Sequence, residues 1–597
     1  MTFQRLPLLV LVVFCGSAFS FGQTRGGGGS RPTNIGVDPA TNARNAAVLG
    51  TGNNIDVSIV HPSSANDEAK VEFRSQTVLV QVPVVVTDRS GNHLHGLNKE
   101  DFTILENGKP VGVANFEELT AGTGRLTSPP VPVGQFRNFT LDSSQPRNIV
   151  VIALDTVNTP FLDQFYGRRE LVKFLAHNLD SGQVMALMLI TSHGLKVVQG
   201  LSGDSAHLMQ VLNKAAGEIS PMETMSSDAQ ESVTAGVPSF GQGTSGNDPV
   251  LGGLNWFVQY GDAMEAQFQQ SNAIETTMNS FLGIAWSLSG MPGRKSLIWA
   301  TGGFPFTLDS PSTVPGGYLS LLYERTMLAL NDAQVSVYPV DIRGLANAPS
   351  FISGNSSGGI GGPGRSRQIS NRVWLQQSKI DTLNDFADMT GGKAFYNTND
   401  LAGSFKRAAD DASSYYMLGY YLDIKNDKPG WRKLQVKVGK KDVEVRARNG
   451  FFVTNATMNP LLSRDRDMVN ALHSPIEGTG VPMTVQWVGL APNGDKKKAV
   501  FSAHMPGGGL TFEGNGRSQL NFDFAALAYD KDGKEAGQTA RNYTPVVPDA
   551  QIASVRANGM DFRNALELAP GKYTIRFVVR DNVTGRIGSV TAPLTVN

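Results

Sequence analysis

The most regular hydrophobic pattern in the chain is an uninterrupted apolar run over residues 149–154, which ends on an acid, Asp155. A continuous run of β-branched and aliphatic residues predicts a strand buried on both faces, as in the middle of a parallel sheet covered by helices. Ligands of open α/β sheets bind beyond the carboxyl ends of such strands. We therefore expect Asp155, Asn158 and Thr159 to lie at this edge and to face solvent. The alternative is that Asp155 and Asn158 cap the helix that follows.

The alternation of apolar runs and amphipathic segments continues through residues 148–455. Helices are predicted between three further buried strands, at residues 185–190, 296–301 and 335–341. Strands that alternate with helices favour an α/β sandwich with a mostly parallel sheet. Two polar, Gly/Ser-rich stretches near 223–253 and 353–371 interrupt the pattern and are predicted to be surface insertions.

Short strands flank this α/β region on both sides. Residues 71–120 are predicted to form a small β module, and residues 121–147, rich in Pro, Gly, Ser and Thr, a linker. Residues 460–597 are predicted to form a β-sandwich, because the alternation in Tyr573–Arg580 is typical of half-buried antiparallel strands. The turn at Leu568–Lys572 favours an immunoglobulin-like sandwich. The expected fold class is multidomain α/β plus β.

The first residues have the composition of a secretory signal peptide. Arg5 supplies a positive end, and residues 6–15 form an apolar core too short to span a bilayer, so residues 1–22 are predicted to be removed on export. Residues 23–70 are polar and without periodicity, which predicts a disordered spacer. We expect an exported protein that is periplasmic, at the cell surface or extracellular. No second apolar run approaches about 18 residues, so no transmembrane segment is expected.

Composition narrows the classes of partner. The formal net charge is zero, with 52 basic and 52 acidic side chains, so the overall charge does not direct the chain to nucleic acid. The only cysteine, Cys15, falls in the predicted signal peptide, so the mature chain would hold no disulfide. Stability must then come from sizeable apolar cores. The sequence leaves the oligomeric state open.

The loop after the first buried strand resembles a known motif. Residues 155–159, Asp-Thr-Val-Asn-Thr, are similar to the Asp-x-Ser-x-Ser loop that opens the metal-ion-dependent adhesion site of the von Willebrand factor type A domain. Asp155 matches the acid and Thr159 keeps a hydroxyl, whereas Val157 replaces a ligating serine. Further segments resemble the secreted type-A-related proteins common in Acidobacteria, namely Val337–Leu345, Thr390–Gly392 and Tyr415–Tyr420. The resemblance implies a Rossmann-like α/β sandwich over residues 148–455.

This resemblance also implies a divalent cation, Mg²⁺ or Ca²⁺, held by Asp155, Thr159 and a loop threonine, which is Thr276 or Thr277 here. The family has a second acid after the third buried strand, and Gly302 stands at that position. Such ions take about six oxygen ligands. Three arrangements stay open: a weak cation site, a degenerate site in which Asp155 hydrogen-bonds Thr159 or backbone N–H groups, and a metal shell that a partner's acidic side chain completes.

The sequence carries no catalytic signature that we recognise. The eight histidines are scattered, no His-Glu-x-x-His zinc helix occurs, and neither a Gly-x-Ser-x-Gly elbow nor a phosphate-binding loop is present. We expect a non-enzymatic, adhesion-type binding protein whose protein partner docks on Asp155, Asn158, Thr159, Thr301 and Asp341. The alternatives are a structural component of an envelope assembly with a vestigial site, and a hydrolase without a recognised motif.

Overall fold

The computed structural model describes residues 77–120, 131–138, 148–177, 183–215, 249–304, 318–345, 380–423, 430–453, 461–512 and 519–597. The predicted signal peptide (1–22), the spacer (23–70) and the second insertion (353–371) lie outside these residues, as do most of the first insertion and of the linker. The described part is a mixed α/β protein with five sheets. None of its helices is both long and apolar enough to cross a membrane.

Helices follow most of the central strands, as the alternating pattern predicts. Local sequence fixes the start of the helix Leu401–Asp410. The side chain of Asp400 accepts a hydrogen bond from Gly403 N at 3.0 Å and caps the first turn. The described helices are α1 (Phe161–His177), α2 (Ser205–Ala215), α3 (Pro249–Leu288), α4 (Tyr318–Asp332), α5 (residues 380–390), α6 (Leu401–Asp410), α7 (Leu461–His473) and α8 (Asp549–Asn558).

The central sheet has five strands. They are β6 (Ile149–Asp155), β7 (Val184–Thr191), β8 (Gly194–Ser202), β9 (Lys295–Thr301) and β10 (Val335–Asp341), in the spatial order β10-β9-β6-β7-β8. The middle strand, β6, is parallel to β7 and β9, β10 is parallel to β9, and β8 is antiparallel to β7. The mostly parallel sheet that the apolar runs predict is therefore confirmed.

Helices cover both faces of this sheet, because successive residues of a strand point to opposite sides. From β6, Val150 and Ile152 belong to an apolar core with residues of α1, α2 and α6. Ile149 and Val151 belong to a second core with residues of α3, α4 and α5. All seven residues of β6 are buried, which explains why the run before Asp155 contains no polar side chain.

A β-sandwich is built from two separate parts of the chain. Its sheets, β13-β1-β11-β4 and β14-β12-β2-β3, share one apolar core. The strands are β1 (Thr77–Asp88), β2 (Phe102–Glu106), β3 (Lys109–Val111), β4 (Asn115–Thr120), β11 (Ser414–Asp423), β12 (Gly430–Val438), β13 (Val443–Arg446) and β14 (Gly450–Val453). Residues 414–453 thus pair with the N-terminal strands and not with the central sheet, so the boundaries predicted at 71–120 and 148–455 divide this sandwich. Thr120 pairs with Ser414, so both ends of the intervening segment lie side by side.

A buried charge cluster joins this sandwich to the central sheet. Arg294, which precedes β9, is fully buried and donates to the Tyr338 hydroxyl at 2.7 Å and to Gly391 O at 2.6 Å. Asp411, between α6 and β11, accepts from Tyr338 and forms an ion pair with Arg446 of β13. Burial by itself would raise the pKa of Asp411, but Arg294 and Arg446 together hold that pKa below its usual value. The cluster therefore fixes β9, β10 and β13 against the start of β11.

A second β-sandwich forms from residue 484 onward around its own core, with one added strand. Its sheets, β19-β16-β15-β5 and β18-β17-β20-β21, contain only antiparallel pairs. The added strand β5 lies inside the predicted linker 121–147 and extends the sheet beside β15. The strands are β5 (Gln135–Arg137), β15 (Thr484–Asn493), β16 (Lys496–Met505), β17 (Phe522–Asp530), β18 (Glu535–Tyr543), β19 (Met560–Leu568), β20 (Gly571–Asp581) and β21 (Ile587–Val596).

Candidate functional site

The Asp155 carboxylate at the end of β6 is the centre of a dense hydrogen-bond network. Its Oδ1 accepts from the backbone N–H groups of Val157 at 3.1 Å and Asn158 at 3.0 Å. Its Oδ2 accepts from Asn158 Nδ2 at 2.8 Å and from the indole Nε1 of Trp299 at 2.9 Å, and the Thr301 hydroxyl lies 3.2 Å from the same oxygen. Four N–H donors fill the roughly four lone-pair positions of a carboxylate. Asp155 thereby fixes the loop that follows it.

Asn158 links this loop to helix α3. Its second amide proton goes to the Thr277 hydroxyl at 2.9 Å, and that hydroxyl donates in turn to the carbonyl of Ala273 at 2.9 Å. Of the two threonines that the family resemblance left open, Thr276 and Thr277, the structure brings Thr277 to the site. The threonine serves as a hydrogen-bond relay between the helix and the loop.

Thr159 and Gly302 close the loop on its other side. Thr159 Oγ1 accepts from Gly302 N at 2.8 Å. A Cβ at position 302 would lie 3.0 Å from Asn158 O and 3.1 Å from Thr159 Cα, which is tighter than ordinary van der Waals contact. The exit of β9 thus packs directly on the backbone of the loop. A side chain at position 302, where the family motif has its second acid, would fit only if the loop backbone moved by a few tenths of an ångström.

The prediction that Asp155 faces solvent is wrong. Its exposed fraction is 1%, and Thr159, Thr301 and Asp341 are also buried, so only Asn158 of the predicted docking residues is partly exposed. Burial raises the pKa of Asp155, an effect that its hydrogen bonds oppose. The oxygen-rich tip of β6 is turned into the protein because the exit of β9 closes over it. Asp155, Asn158, Thr159 and Thr301 therefore form an internal network and not the solvent-facing surface that the sequence predicts.

Asp341, at the end of β10, belongs to a separate local ion pair. Its carboxylate accepts from Arg343 Nε at 2.9 Å and from Arg343 Nη2 at 2.7 Å. Two parallel N–H···O bonds of this kind are the strong, bidentate form of an arginine–carboxylate pair. Arg343 N also donates to Asp341 Oδ1 at 3.1 Å. The pair therefore stabilises the turn after β10.

Trp299 is the member of the network that sequence reasoning missed. Its apolar neighbours predict only a buried residue of β9, and the ring indeed packs edge-on against Phe281 and Phe386 in the core. A buried indole N–H needs an acceptor, and Asp155 supplies it. The available signal is spacing, because Trp299 and Thr301 lie two residues apart and therefore on the same face of the strand beside β6.

The residues around Asp155 do not fit the divalent cation that the family resemblance implies. A metal ligand must turn a lone pair towards the ion, whereas both carboxylate oxygens here face N–H donors. The indole N–H of Trp299 cannot ligate a metal, and neither Val157 nor Gly302 has a side-chain oxygen. Within the ranges that the structure describes, no three His, Cys, Asp or Glu side chains are grouped as metal ligands.

We expect Mg²⁺ and Ca²⁺ to leave the thermal stability of the chain unchanged. A cation present at about 100 times its Kd would stabilise the folded state by about 2.7 kcal/mol, which calorimetric scans in EDTA and in millimolar MgCl₂ or CaCl₂ would detect. The same scans on Asp155→Asn provide the control. An upward shift of the wild-type transition with either cation, absent in the variant, would contradict the hydrogen-bonded site.

A patch of exposed apolar side chains lies beside this closed loop. Leu162 and Phe165 on α1 are 77% and 51% exposed, and Leu345 after β10 is 54% exposed. Asn399 holds the two segments together, since it accepts hydrogen bonds from the Tyr166 hydroxyl and from Leu345 N. We define the carboxyl-edge patch as Phe161, Leu162, Phe165, Tyr166 and Leu345.

Comparisons with known proteins add little to this description. No family model matches the chain, and no curated protein matches it. Among solved structures, a β-glucuronidase of Bacteroides uniformis is similar at 10% sequence identity and a TM-score of 0.14, over 30% of this chain and 19% of that chain. A β-glucuronidase from glycoside hydrolase family 2 shows 9% identity and a TM-score of 0.13, over 30% and 19%. The chain thus spans less than a fifth of either enzyme, and similarities this low carry no argument.

Proposed function

We propose that this chain is a secreted, non-enzymatic protein-binding protein whose α/β domain is of the von Willebrand factor type A kind. The sheet order supports this assignment, with Asp155 at the end of the middle strand and an antiparallel strand at one edge. The two antiparallel sheets of the C-terminal sandwich support an immunoglobulin-like module. The segment 1–22 supports export.

The observation that carries the binding function is the carboxyl-edge patch. Exposed apolar side chains lie at the carboxyl end of the parallel sheet, where ligands of α/β sheets bind. Large aromatic and aliphatic side chains supply much of the binding energy at protein interfaces. In the described chain, the polar groups at this edge hydrogen-bond one another, as in the network of Asp155 and Asn158. Among the described residues at this edge, the apolar patch is therefore the feature that a partner could contact.

Docking on this patch would not require a cation. The Asp155 network holds the loop between β6 and α1 in one conformation, so Phe161 and Leu162 are presented in a fixed geometry. A surface that is ordered before binding loses less conformational entropy when the partner arrives. The N–H donors around Asp155 thus hold the loop in place, as a metal ion does in an intact adhesion site.

We expect the double variant Leu162→Ser/Phe165→Ser to bind the partner at least about tenfold more weakly than the wild type, because two interface anchors are lost. Envelope extract of the source organism is passed over immobilised wild type and variant, and the captured protein is then purified for titration. The control is Val546→Ser, which changes a side chain of the C-terminal sandwich that is 68% exposed. Binding by wild type and control is expected to be equal in EDTA and in Mg²⁺.

Three results would contradict this proposal. Equal binding by the double variant and the control would remove the carboxyl-edge patch as the docking surface. Loss of binding in EDTA would show that a cation takes part. Capture of no partner at all would favour the structural role in an envelope assembly, which the closed Asp155 network also suits.

A further inference from the structure

Strand β12 and the turn after it carry charge of one sign. Residues 430–441 include Arg432, Lys433, Lys437, Lys440 and Lys441 and no acidic residue, although the whole chain has equal numbers of basic and acidic side chains. All four lysines are exposed. Local concentration of one charge attracts molecules of the opposite charge, whatever the net charge of the protein. We call these four residues the lysine row.

The alternation of β12 determines which of its side chains face outward. Leu434 is buried in the sandwich core, and Val436 and Val438 pack against that core. The residues between them therefore point away from the sandwich. These outward, exposed residues are Trp431, Lys433, Gln435 and Lys437. Lys433 and Lys437 of the row thus lie on the outer side of β12, with Gln435 between them and Trp431 before them, and Lys440 and Lys441 follow in the turn.

Three carboxylates of this sandwich have other partners or point to its inner side. Asp442 forms an ion pair with Arg89, and Glu444 forms one with Lys393. Glu106 is on the inner side of β2 by the alternation of that strand. Among the described residues, no carboxylate forms an ion pair with the lysines of the row.

We propose that the outer side of β12 binds an acidic polysaccharide. The strand from Trp431 to Lys437 extends about 20 Å, and Phe452 beside Trp431 packs against the core of the α/β domain. Trp431, Lys433, Gln435 and Lys437 thus lie in one line along the exposed side of the strand, which suits one extended polymer. The indole ring would stack on a sugar ring, Gln435 would hydrogen-bond hydroxyls, and the lysines would pair with carboxylate or sulfate groups.

Calorimetric titration with polygalacturonate, a linear polymer of acidic sugars, tests this inference. The wild type is expected to bind, with affinity that falls as salt is added. Lys433→Gln/Lys437→Gln is expected to bind at least about tenfold more weakly. The matched control is Lys531→Gln/Lys534→Gln, which removes two exposed lysines from the turn between β17 and β18. Both double variants are expected to unfold at the wild-type temperature, since all four side chains are on the surface.

Several results would overturn this inference. Wild type that does not bind polygalacturonate, or equal losses in the two double variants, would show that the row is only a solvated surface. Equal affinity for uncharged dextran would show that charge is not recognised. Tighter binding to phosphatidylglycerol vesicles or to DNA would assign the row to another class of polyanion. The carboxyl-edge patch lies on a different domain, so none of these results bears on the proposed protein binding.

Discussion

Asp155→Ala is expected to lower the free energy of unfolding by about 4 kcal/mol, although it changes a residue that resembles a surface metal ligand. The substitution leaves the indole N–H of buried Trp299 and the side-chain amide of Asn158 without their acceptor. It also removes the acceptor of two backbone N–H groups in the loop. Urea denaturation followed by circular dichroism in EDTA measures the loss.

Two further variants make this result specific. Asp155→Asn keeps the size of the side chain but turns an NH₂ group towards N–H donors, so we expect a smaller loss of about 2 kcal/mol. Asp532→Ala, in the exposed turn between β17 and β18, should stay within about 0.5 kcal/mol of the wild type. If Asp155→Ala were as neutral as Asp532→Ala, the carboxylate could not be the centre of a buried network.

Lys295→Met is expected to raise the free energy of unfolding by about 3 kcal/mol below pH 7. Lys295 is 1% exposed, and its Nζ donates to Ala333 O at 2.7 Å. Burial of the ammonium group lowers the pKa of Lys295 to about 7. The unfolded chain, with a lysine pKa of about 10.4, binds a proton that the folded chain lacks between these values. Wild-type stability should therefore rise with pH from about 7 to about 10.

The measurement is the urea midpoint of wild type and variant at intervals from pH 6 to pH 9. The wild type should gain stability by up to about 1.4 kcal/mol per pH unit above its folded pKa, and Lys295→Met should lose this slope. Lys531→Met, which changes an exposed lysine, should keep the wild-type slope. A variant less stable than the wild type at pH 6 would show that the ammonium group is well solvated or paired.

Apolar runs predict the central sheet well, because a strand buried on both faces has no polar positions to obscure it. The four runs that end at Asp155, Ile190, Thr301 and Asp341 all lie in the sheet. The sequence pattern does not predict which strands pair when they lie far apart in the chain. The pattern of β1 predicts a strand, but nothing local indicates that Val80 lies opposite Tyr420. The boundaries of the first sandwich therefore could not be predicted from the sequence.

The sequence predicts most members of the candidate site but not Trp299, it wrongly adds Asp341, and it does not predict the orientation of the site. Asp155, Asn158, Thr159, Thr277 and Thr301 do come together at the end of β6. Polar residues after a buried strand usually face solvent, which is why exposure was expected. The orientation depends on the indole N–H of Trp299, whose one signal is its spacing of two residues from Thr301, and on the close approach of the β9 exit to the loop, which has no local signature.

The two-part β-sandwich has a consequence for how the protein is made. The ribosome delivers β1 to β4 first, yet their partners β11 to β14 come only after the whole α/β domain has been translated. Val82 and Val84 of β1 are fully buried in the folded protein. Until β11 to β14 are made, these side chains have no partner strands to bury them. A chain that stops before Ser414 can never close this sandwich. Closure of this sandwich therefore requires synthesis at least as far as β14, and we expect products truncated before β11 to be degraded by proteases through those uncovered strands.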